Sequence, residues 1–458
     1  MQAKPSRTTF RNRLDEMITA LRDDIVTGRL KSGEFIPSLM QLSKQFQLSI
    51  NSVQKGLDQL AAESLIERIP RVGIRVKDST RHSTVSLSFG YYPSLMEDVD
   101  LQHLIAAFQE EHPHIRIQPV PLQYENYYDV TSNYLYNEML DVLTINHINF
   151  NQYEDRHTDI REVFEPIKPA AGIYPYLSPP FMRDKTQYVQ PIVFSPVILC
   201  YNQQHFEQRQ ADEPPLEWTW QEFMACLDRL GRDESRLAFY FYPATLNRWP
   251  IFLLQSGVEF KRNKTGKMNL AAPQIMDSIQ TCNELIQRQN MFQILLSEND
   301  VNVEELFSQQ RISVMMTTYF NMNRLRRASF PFDIAPLPYV HTPKTLLITI
   351  GMAINRRSKQ KAAAQVFIDY LTSYRSQLHI RKTTYSIPAL QRAAEWHGEE
   401  LGYRPSRYNI YRDISHTYAL LSDLNLNPHE IEELLNAMNM YWMGMENKEA
   451  TLSRLATI

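Results

Sequence analysis

Gly28-Arg-Leu-Lys-Ser-Gly-Glu-Phe-Ile-Pro-Ser38, followed by Leu48-Ser-Ile-Asn-Ser-Val-Gln-Lys-Gly-Leu-Asp-Gln-Leu60, decides the architecture of the first 78 residues. Upstream of it, Phe10, Leu14, Met17, Ile18, Leu21 and Ile25 recur at spacings of three and four and predict one helical stripe. Gly28 ends that helix as a left-handed cap. Gly33 supports a further turn, and Pro37-Ser38 opens a second helix over 39–46, with Ser38 as its N-cap and Leu42 and Phe46 facing inward. After the short turn Gln47-Leu48, Ser49 caps a third helix that buries Val53, Leu57 and Leu60. Two short helices joined by a tight turn make a helix-turn-helix. Leu65–Ile69 and Ile74–Lys77 then alternate as two strands around Pro70-Arg-Val-Gly73, a small wing.

The order helix, helix-turn-helix, wing, with its G-x-L-x-x-G-x-x-x-P-S linker, resembles the GntR family of transcription regulators over about 70 residues. The resemblance implies operator double-stranded DNA as a partner, with the start of the third helix in the major groove. On this reading Ser38, Ser49, Asn51, Ser52, Gln54 and Lys55 belong to the DNA-binding set. Asn51 and Gln54 suit an adenine edge and Lys55 a phosphate or guanine. Arg71 at the wing tip, with Arg68, Gly73 and Arg75, is expected against the backbone or minor groove. The family usually carries arginines where this chain has Met40, Ile50 and Gln54, so its operator is expected to differ.

Charge supports a division of labour. Residues 1–80 hold 13 Lys/Arg against 9 Asp/Glu, whereas the remainder of the 458-residue chain holds 35 against 42. A mildly basic head on an acidic body fits a nucleic-acid reader joined to something else. Cys200, Cys226 and Cys282 lie far apart without a CxxC pair, which predicts buried thiols in a reducing compartment. No run of about 18 apolar residues occurs, and the charged start lacks the apolar stretch of a secretory signal. The expectation is a cytoplasmic protein with no membrane partner.

Asp78-Ser-Thr-Arg-His-Ser-Thr84 is short and polar, so the boundaries expected are 1–78 for the head, 79–84 for a linker and 85–458 for the body. Strand-like runs at Val85–Phe89, His114–Gln118, Asp141–Ile145, Ser195–Asn202, Ile312–Met316, Phe332–Pro336 and Leu346–Gly351 alternate with helical stripes and predict an α/β body. Residues 413–445 read as two helices packed on that body. Several short motifs appear in order: Ala107-Phe-Gln-Glu-Glu-His-Pro113, Asp141-Val-Leu143, Val197-Ile-Leu-Cys-Tyr-Asn202, Trp218-Thr-Trp-Gln-Glu-Phe223, Phe307–Met316 and Ser386-Ile-Pro388. In this order they resemble the extracellular solute-binding proteins of the maltose-binding type.

That resemblance implies a two-lobed, periplasmic-binding-protein-like (type II) fold. The crossing strands are expected near Ser195–Asn202 and Phe332–Pro338, with a small solute, a sugar or oligosaccharide, in the cleft between lobes. The ligand-binding positions implied are Tyr91, Tyr92, Asn146, His147, Trp249, Tyr319, Tyr408 and Tyr411. In the segment Phe307–Met316 the family has glycine where this chain has Gln310. The fold class expected for the whole chain is therefore multidomain α/β, an N-terminal winged helix-turn-helix followed by the two-lobed domain, acting as a homodimer.

No catalytic residue, cofactor or metal is expected. GntR-type heads also occur on aminotransferase-like bodies, which need glycine-rich phosphate loops and a lysine for pyridoxal phosphate. Only 13 glycines occur in the chain, and none forms a phosphate loop or a nucleophile elbow. His112 and His114 flank Pro113 without a third ligand. The other reading left open is a body that has lost its solute and serves dimerisation or partner contacts.

Overall fold

The computed structural model describes residues 7–26, 28–63, 65–69, 72–77, 84–156, 158–231, 236–243, 245–264, 266, 268, 270–288 and 303–456. The side chains of 7–12 and 26 are outside that description, as are Arg71 and residues 79–83 of the expected linker.

The head is built as its sequence pattern dictates. Helix α1 (Arg7–Val26) buries Met17, Ile18, Leu21 and Ile25 against α2 (Leu39–Phe46) and α3 (Ile50–Ala62). Gly28 follows at φ 73, and its N–H donates to the Ile25 carbonyl at 3.2 Å. Ser38 caps α2 in a full capping box with Gln41, and Ser49 caps α3 by accepting from the Ser52 N–H. The turn between them places Gln47 at φ 51, a left-handed conformation that glycine would take without strain. The wing pairs β1 (Ile66–Ile69) with β2 (Gly73–Val76) antiparallel, with Ile69 opposite Gly73.

The body is one mixed ten-stranded sheet shared by two lobes, with helices on both faces. In the first lobe, β3 (Val85–Tyr91) lies parallel to β4 (Ile115–Pro121) and to β5 (Val142–Asn146). Between β3 and β4 run α4 (Leu95–Asp98) and α5 (Leu101–Glu111). Between β4 and β5 runs α6 (Tyr127–Tyr136), and α7 (His147–Asp155) leaves the end of β5. A small hairpin, β6 (Met182–Arg183) and β7 (Thr186–Gln187), precedes β8 (Val189–Asn202).

All 14 residues of β8 are buried, because the strand passes through both lobes and both its faces are covered. Its first half pairs with β12 (Thr345–Ile354), from Val189–Ala353 to Pro196–Leu347. Its second half pairs with β10 (Ile312–Thr318) and β11 (Phe332–Ala335) in the second lobe. The edge strand β9 (Leu237–Tyr240) lies parallel to β10. Strand β12 also pairs with β5. The crossing strands are thus β8 and β12. The segment Phe332–Pro338, expected to cross, instead pairs through β11 with the second-lobe half of β8. At the bulge in β12, a Cβ on Gly351 would stand 2.6 Å from the Gln190 carbonyl oxygen, so the two crossing backbones approach closely only because glycine is there.

Each lobe has its own core. Phe89, Phe108, Ile117, Phe150 and Phe367 belong to the first, and Phe223, Phe239, Phe252, Met315 and Leu434 to the second. The C-terminal stretch differs from its reading as two helices. Between residues 414 and 445 only Pro428–Trp442 is an α-helix, packed by Leu434, Met438 and Trp442 into the second lobe. Before it, Tyr418–Ala419 pairs with β12, an extended backbone that excludes a helix there, and Leu421–Leu424 is one 3-10 turn ended by Asn425 at φ 50. Cys200 and Cys282 are buried and Cys226 half-buried, all three as free thiols.

Candidate functional site

Two surfaces bear on the sequence-derived positions. The first is the exposed start of α3. Asn51, Gln54 and Lys55 point to solvent on one face, since residues 52, 53, 56 and 57 face the head's interior. Ser49 and Ser52 are joined through their hydroxyls at 2.7 Å, so they shape the helix start, as Ser38 does for α2. Beside this face Met40 and Ile50 are 75% and 48% exposed, apolar side chains held in water. Such groups match the thymine methyl of the major groove.

On the wing, Arg68 pairs with Asp58 and Arg75 with Glu67. Exposed pairs of this kind are worth about 0–1 kcal/mol, so a phosphate can replace either acid at little cost. Gly73 sits exposed at φ 152 against the Phe35 ring, a backbone angle that L side chains rarely adopt. Arg71 lies outside the described residues.

The second surface is a cleft of about 530 Å³ between the lobes. The first lobe lines it with α7 and Arg183, and the second with Leu246, Arg262 and the segment from Leu421 to Ile431. At the end of β5, Asn146 and Tyr92, both expected to contact ligand, do not line the cleft and instead support α7. Asn146 caps α7, its side chain accepting from the Asn149 N–H at 2.8 Å, and its own N–H donates to the Tyr92 hydroxyl at 3.1 Å. Tyr92 in turn donates to the Asn149 side chain at 2.5 Å and stacks on Tyr124 with ring centres 4.5 Å apart.

His147 is the first residue of α7 and lines the cleft. It is fully buried, and neither of its ring nitrogens has a hydrogen-bond partner. Burial pushes its pKa down to about 4, so it stands as neutral imidazole with one donor and one acceptor unused. An unpaired buried polar group costs about 1–3 kcal/mol, which a ligand hydroxyl reaching it would recover.

The two arginines around it are neutralised by carboxylates. Arg183 bonds Glu154 at 2.6 Å and Asn151 at 3.0 Å, with its guanidinium over the Phe150 ring. Arg262 makes a bidentate pair with Glu430 at 2.7 and 2.6 Å. Asp155 lines the same cleft, and burial pushes its carboxyl up. The cleft thus offers amides, carboxylates, a neutral imidazole and aliphatic walls.

Of the other positions implied by resemblance, Tyr319, Tyr408 and Tyr411 come together, with ring centres 5.4–6.1 Å apart, in the core of the second lobe. Each hydroxyl donates to a backbone carbonyl, of Tyr408, Ser386 and Ala394 respectively. Arg404 and Arg381 cover the Tyr408 ring at 4.2 and 4.6 Å. Trp249 is buried in the same core, its indole N–H without a partner. Tyr91 is buried in the first-lobe core. The structure therefore brings His147, and not these aromatic rings, to the cleft wall.

Sequence reading missed Arg183, Arg262 and the whole Leu421–Ile431 wall. The Asn427-Pro428 helix start gave a local signal for the last of these, but nothing local places it opposite α7.

The lobes also touch away from the cleft lining. Asp98 on α4 meets the Asn323 side chain at 3.4 Å, Arg326 donates to the Glu97 carbonyl at 3.3 Å, and Phe320 packs into the first-lobe core. Burial raises the Asp98 pKa to about 7.

Two family models match the chain. Residues 14–76 match the family model for bacterial regulatory proteins of the gntR family, and residues 92–378 match that for bacterial extracellular solute-binding proteins. Among solved structures, an ABC substrate-binding protein from Listeria monocytogenes in complex with cycloalternan superposes with a TM-score of 0.68 at 15% identity, covering 82% of this chain and 98% of that one. A solute-binding protein from Thermotoga lettingae bound with alpha-D-tagatose gives 0.67 at 16% identity, over 81% and 97%. Maltose-bound MalE3 of T. maritima gives 0.66 at 15%, over 81% and 98%. At such identities the likeness is one of fold. No relative matches among curated proteins. Among the described residues no helix is long and apolar enough to cross a membrane. With a family match that spans most of its length, the chain belongs to the bacterial extracellular solute-binding proteins, and it carries a gntR-family regulator head in front of that body.

Proposed function

We propose that this protein is a cytoplasmic, homodimeric transcription regulator whose two-lobed body senses a small neutral carbohydrate and thereby sets the affinity of its heads for operator DNA. The proposed domain boundary is the polar segment 79–84. The observation that carries the reading is His147, a buried, unpartnered, neutral imidazole lining the inter-lobe cleft of a chain that also displays Asn51, Gln54 and Lys55 on a recognition helix. A neutral imidazole beside amides and carboxylates suits sugar hydroxyls, which donate and accept. The solved structures of the same fold that hold cycloalternan, tagatose and maltose support that ligand class. Solute binding regulates DNA binding only if its affinity differs between the DNA-bound and free states, and the coupling is then reciprocal.

The test is DNA affinity, by fluorescence anisotropy on fragments selected by the full-length protein, with and without a panel of mono- and oligosaccharides. At least one sugar is expected to change the dissociation constant by about 5–150-fold, the usual span of allosteric coupling. His147→Ala is expected to remove that effect and leave the sugar-free affinity unchanged. If no sugar alters either DNA affinity or melting temperature, the sensing half of the proposal falls. One observation favours the second reading, a body kept for dimerisation or partner contacts: no aromatic ring other than His147 lines the cleft among the described residues. Preserved DNA binding with no sugar response is its signature.

A further inference from the structure

Asp100, His103 and His379 form a cluster that neither DNA reading nor the cleft uses. Their ligand atoms all lie within 4.8 Å of one another, although Asp100 and His379 are 279 residues apart in sequence. Asp100 immediately precedes α5 and has φ 54, a left-handed angle uncommon for a residue with a side chain. An aspartate there ordinarily caps the helix. This one makes no capping bond, and its carboxylate instead meets His379 Nε2 at 2.8 Å. The His103 ring, one turn into α5, stacks on the His379 ring with centres 4.3 Å apart.

We propose that Asp100, His103 and His379 bind a divalent transition-metal ion, Zn2+ by preference. Two imidazoles and one carboxylate are a ligand set that such ions favour, and tetrahedral zinc with nitrogen and oxygen ligands at about 2.0–2.2 Å sets them about 3.3 Å apart. Every pair in the cluster is already within 4.8 Å, so small side-chain rotations close the set. His103 is exposed and free to turn, and the exposed side leaves the fourth position to solvent. Mg2+ and Ca2+, which prefer all-oxygen shells, are disfavoured.

The ion would fasten the start of α5 to the helix Tyr374–Thr383. Both neighbours of this joint reach the second lobe. Asp98, two residues before Asp100, meets Asn323, and Arg381 on the helix Tyr374–Thr383 holds Glu400 at 2.6 and 3.1 Å. Metal binding thus stiffens the part of the first lobe on which the lobes meet.

The test is calorimetric titration of the full-length, chelator-stripped protein with Zn2+ near neutral pH, alongside its melting temperature. Wild type is expected to take up one ion at this site and melt higher with it. Loss of even an outer-shell partner costs about 10–100-fold in metal affinity, so His103→Ala and His379→Ala are each expected to weaken binding by at least about tenfold. The exposed position of His103 makes its variant safe for folding. His112→Ala and His114→Ala are expected to bind as wild type. No uptake by wild type, uptake untouched by both His103→Ala and His379→Ala, or loss only on changing His112 or His114, would each overturn the proposal.

Discussion

The proposed reading face of the head and the proposed sensing cleft of the body are built in opposite ways. On the head, Asn51, Gln54 and Lys55 stand in water on a capped 13-residue helix, and apolar Met40 and Ile50 stand beside them. In the body, most polar groups at the site already have partners within the protein. Asn146 and Tyr92 are used within the wall, Arg183 and Arg262 are neutralised by Glu154 and Glu430, and His147 is left unpaired. A face in water recognises by adding contacts, so each contact is separable. A buried cleft recognises by completing bonds that the protein lacks, so its polar groups act only when the ligand is present.

The largest expected effect follows from the first half of that contrast. A good base contact carries about 1–3 kcal/mol of discrimination, so Asn51→Ala and Gln54→Ala are each expected to weaken binding to selected DNA by that amount at fixed salt. In anisotropy titrations the double variant loses close to the sum, less any coupling between neighbours one helical turn apart. If both bind like wild type, Ile50, Met40 and the phosphate contacts carry recognition, and the contrast between exposed polar reading and buried polar sensing fails on the head side.

The same contrast explains what the sequence made legible. The head's face lies within 13 residues, and a 3.6-residue period with Ser49 at its start suffices to put Asn51 and Gln54 outside and Val53 and Leu57 inside. The body's strands were legible too, because β8 and β12 are long apolar runs. The cleft was not. It juxtaposes His147 with Arg262 and Asn427, and no local period encodes that meeting. Tyrosines followed strands at the expected places, but Tyr319, Tyr408 and Tyr411 interlock with one another and with backbone carbonyls, and a phenol satisfied in a core looks like a phenol in a cleft until its neighbours are known. The Asp100–His103–His379 cluster was hidden for the same reason. Asp100 and His103 are one turn apart and visible, but His379 is not.

A smaller effect is expected at the lobe contact, and it is pH-dependent. The Asp98 carboxyl has a pKa near 3.8 when solvated and about 7 when buried between the lobes, with Asn323 and Arg324 beside it. The native state therefore holds this proton more tightly than the unfolded chain. Its contribution to stability is complete below about pH 4 and is lost as pH rises through about 7. Asp98→Asn keeps a hydrogen-bonding side chain and removes the charge. It is expected to raise the melting temperature by at least about 2–4 °C more at about pH 8 than at about pH 4, where the carboxyl is protonated in both states. An equal shift at both pH values would mean that the buried proton is absent and the contact is neutral packing.

The smallest effect compares the two regions through the same residue type in the same backbone state. Gln47 turns the chain between α2 and α3 at φ 51, and Gln310 turns it before β10 at φ 59, where the resembled family has glycine. At both, a backbone N–H closes a helix end: Leu48 donates to Ser43 at 3.1 Å, and Arg311 donates to Leu306 at 2.9 Å. A side chain in the left-handed region costs about 1–2 kcal/mol, and glycine returns part of that gain through its freer unfolded state. Gln47→Gly and Gln310→Gly are therefore each expected to stabilise by about 0.5–1 kcal/mol. Equal free energies do not give equal shifts, because unfolding entropy scales with size. About 1 kcal/mol moves a 60–100-residue unit by about 4–8 °C and a larger one by about 2–4 °C or less. The core clusters of the head and the lobes share no residue, so the head is expected to melt as its own transition. Calorimetry is then expected to show Gln47→Gly moving the head's transition further than Gln310→Gly moves the body's. A single transition moved equally by both would mean that head and body unfold together, and that the division drawn between an exposed reader and a buried sensor does not extend to their stability.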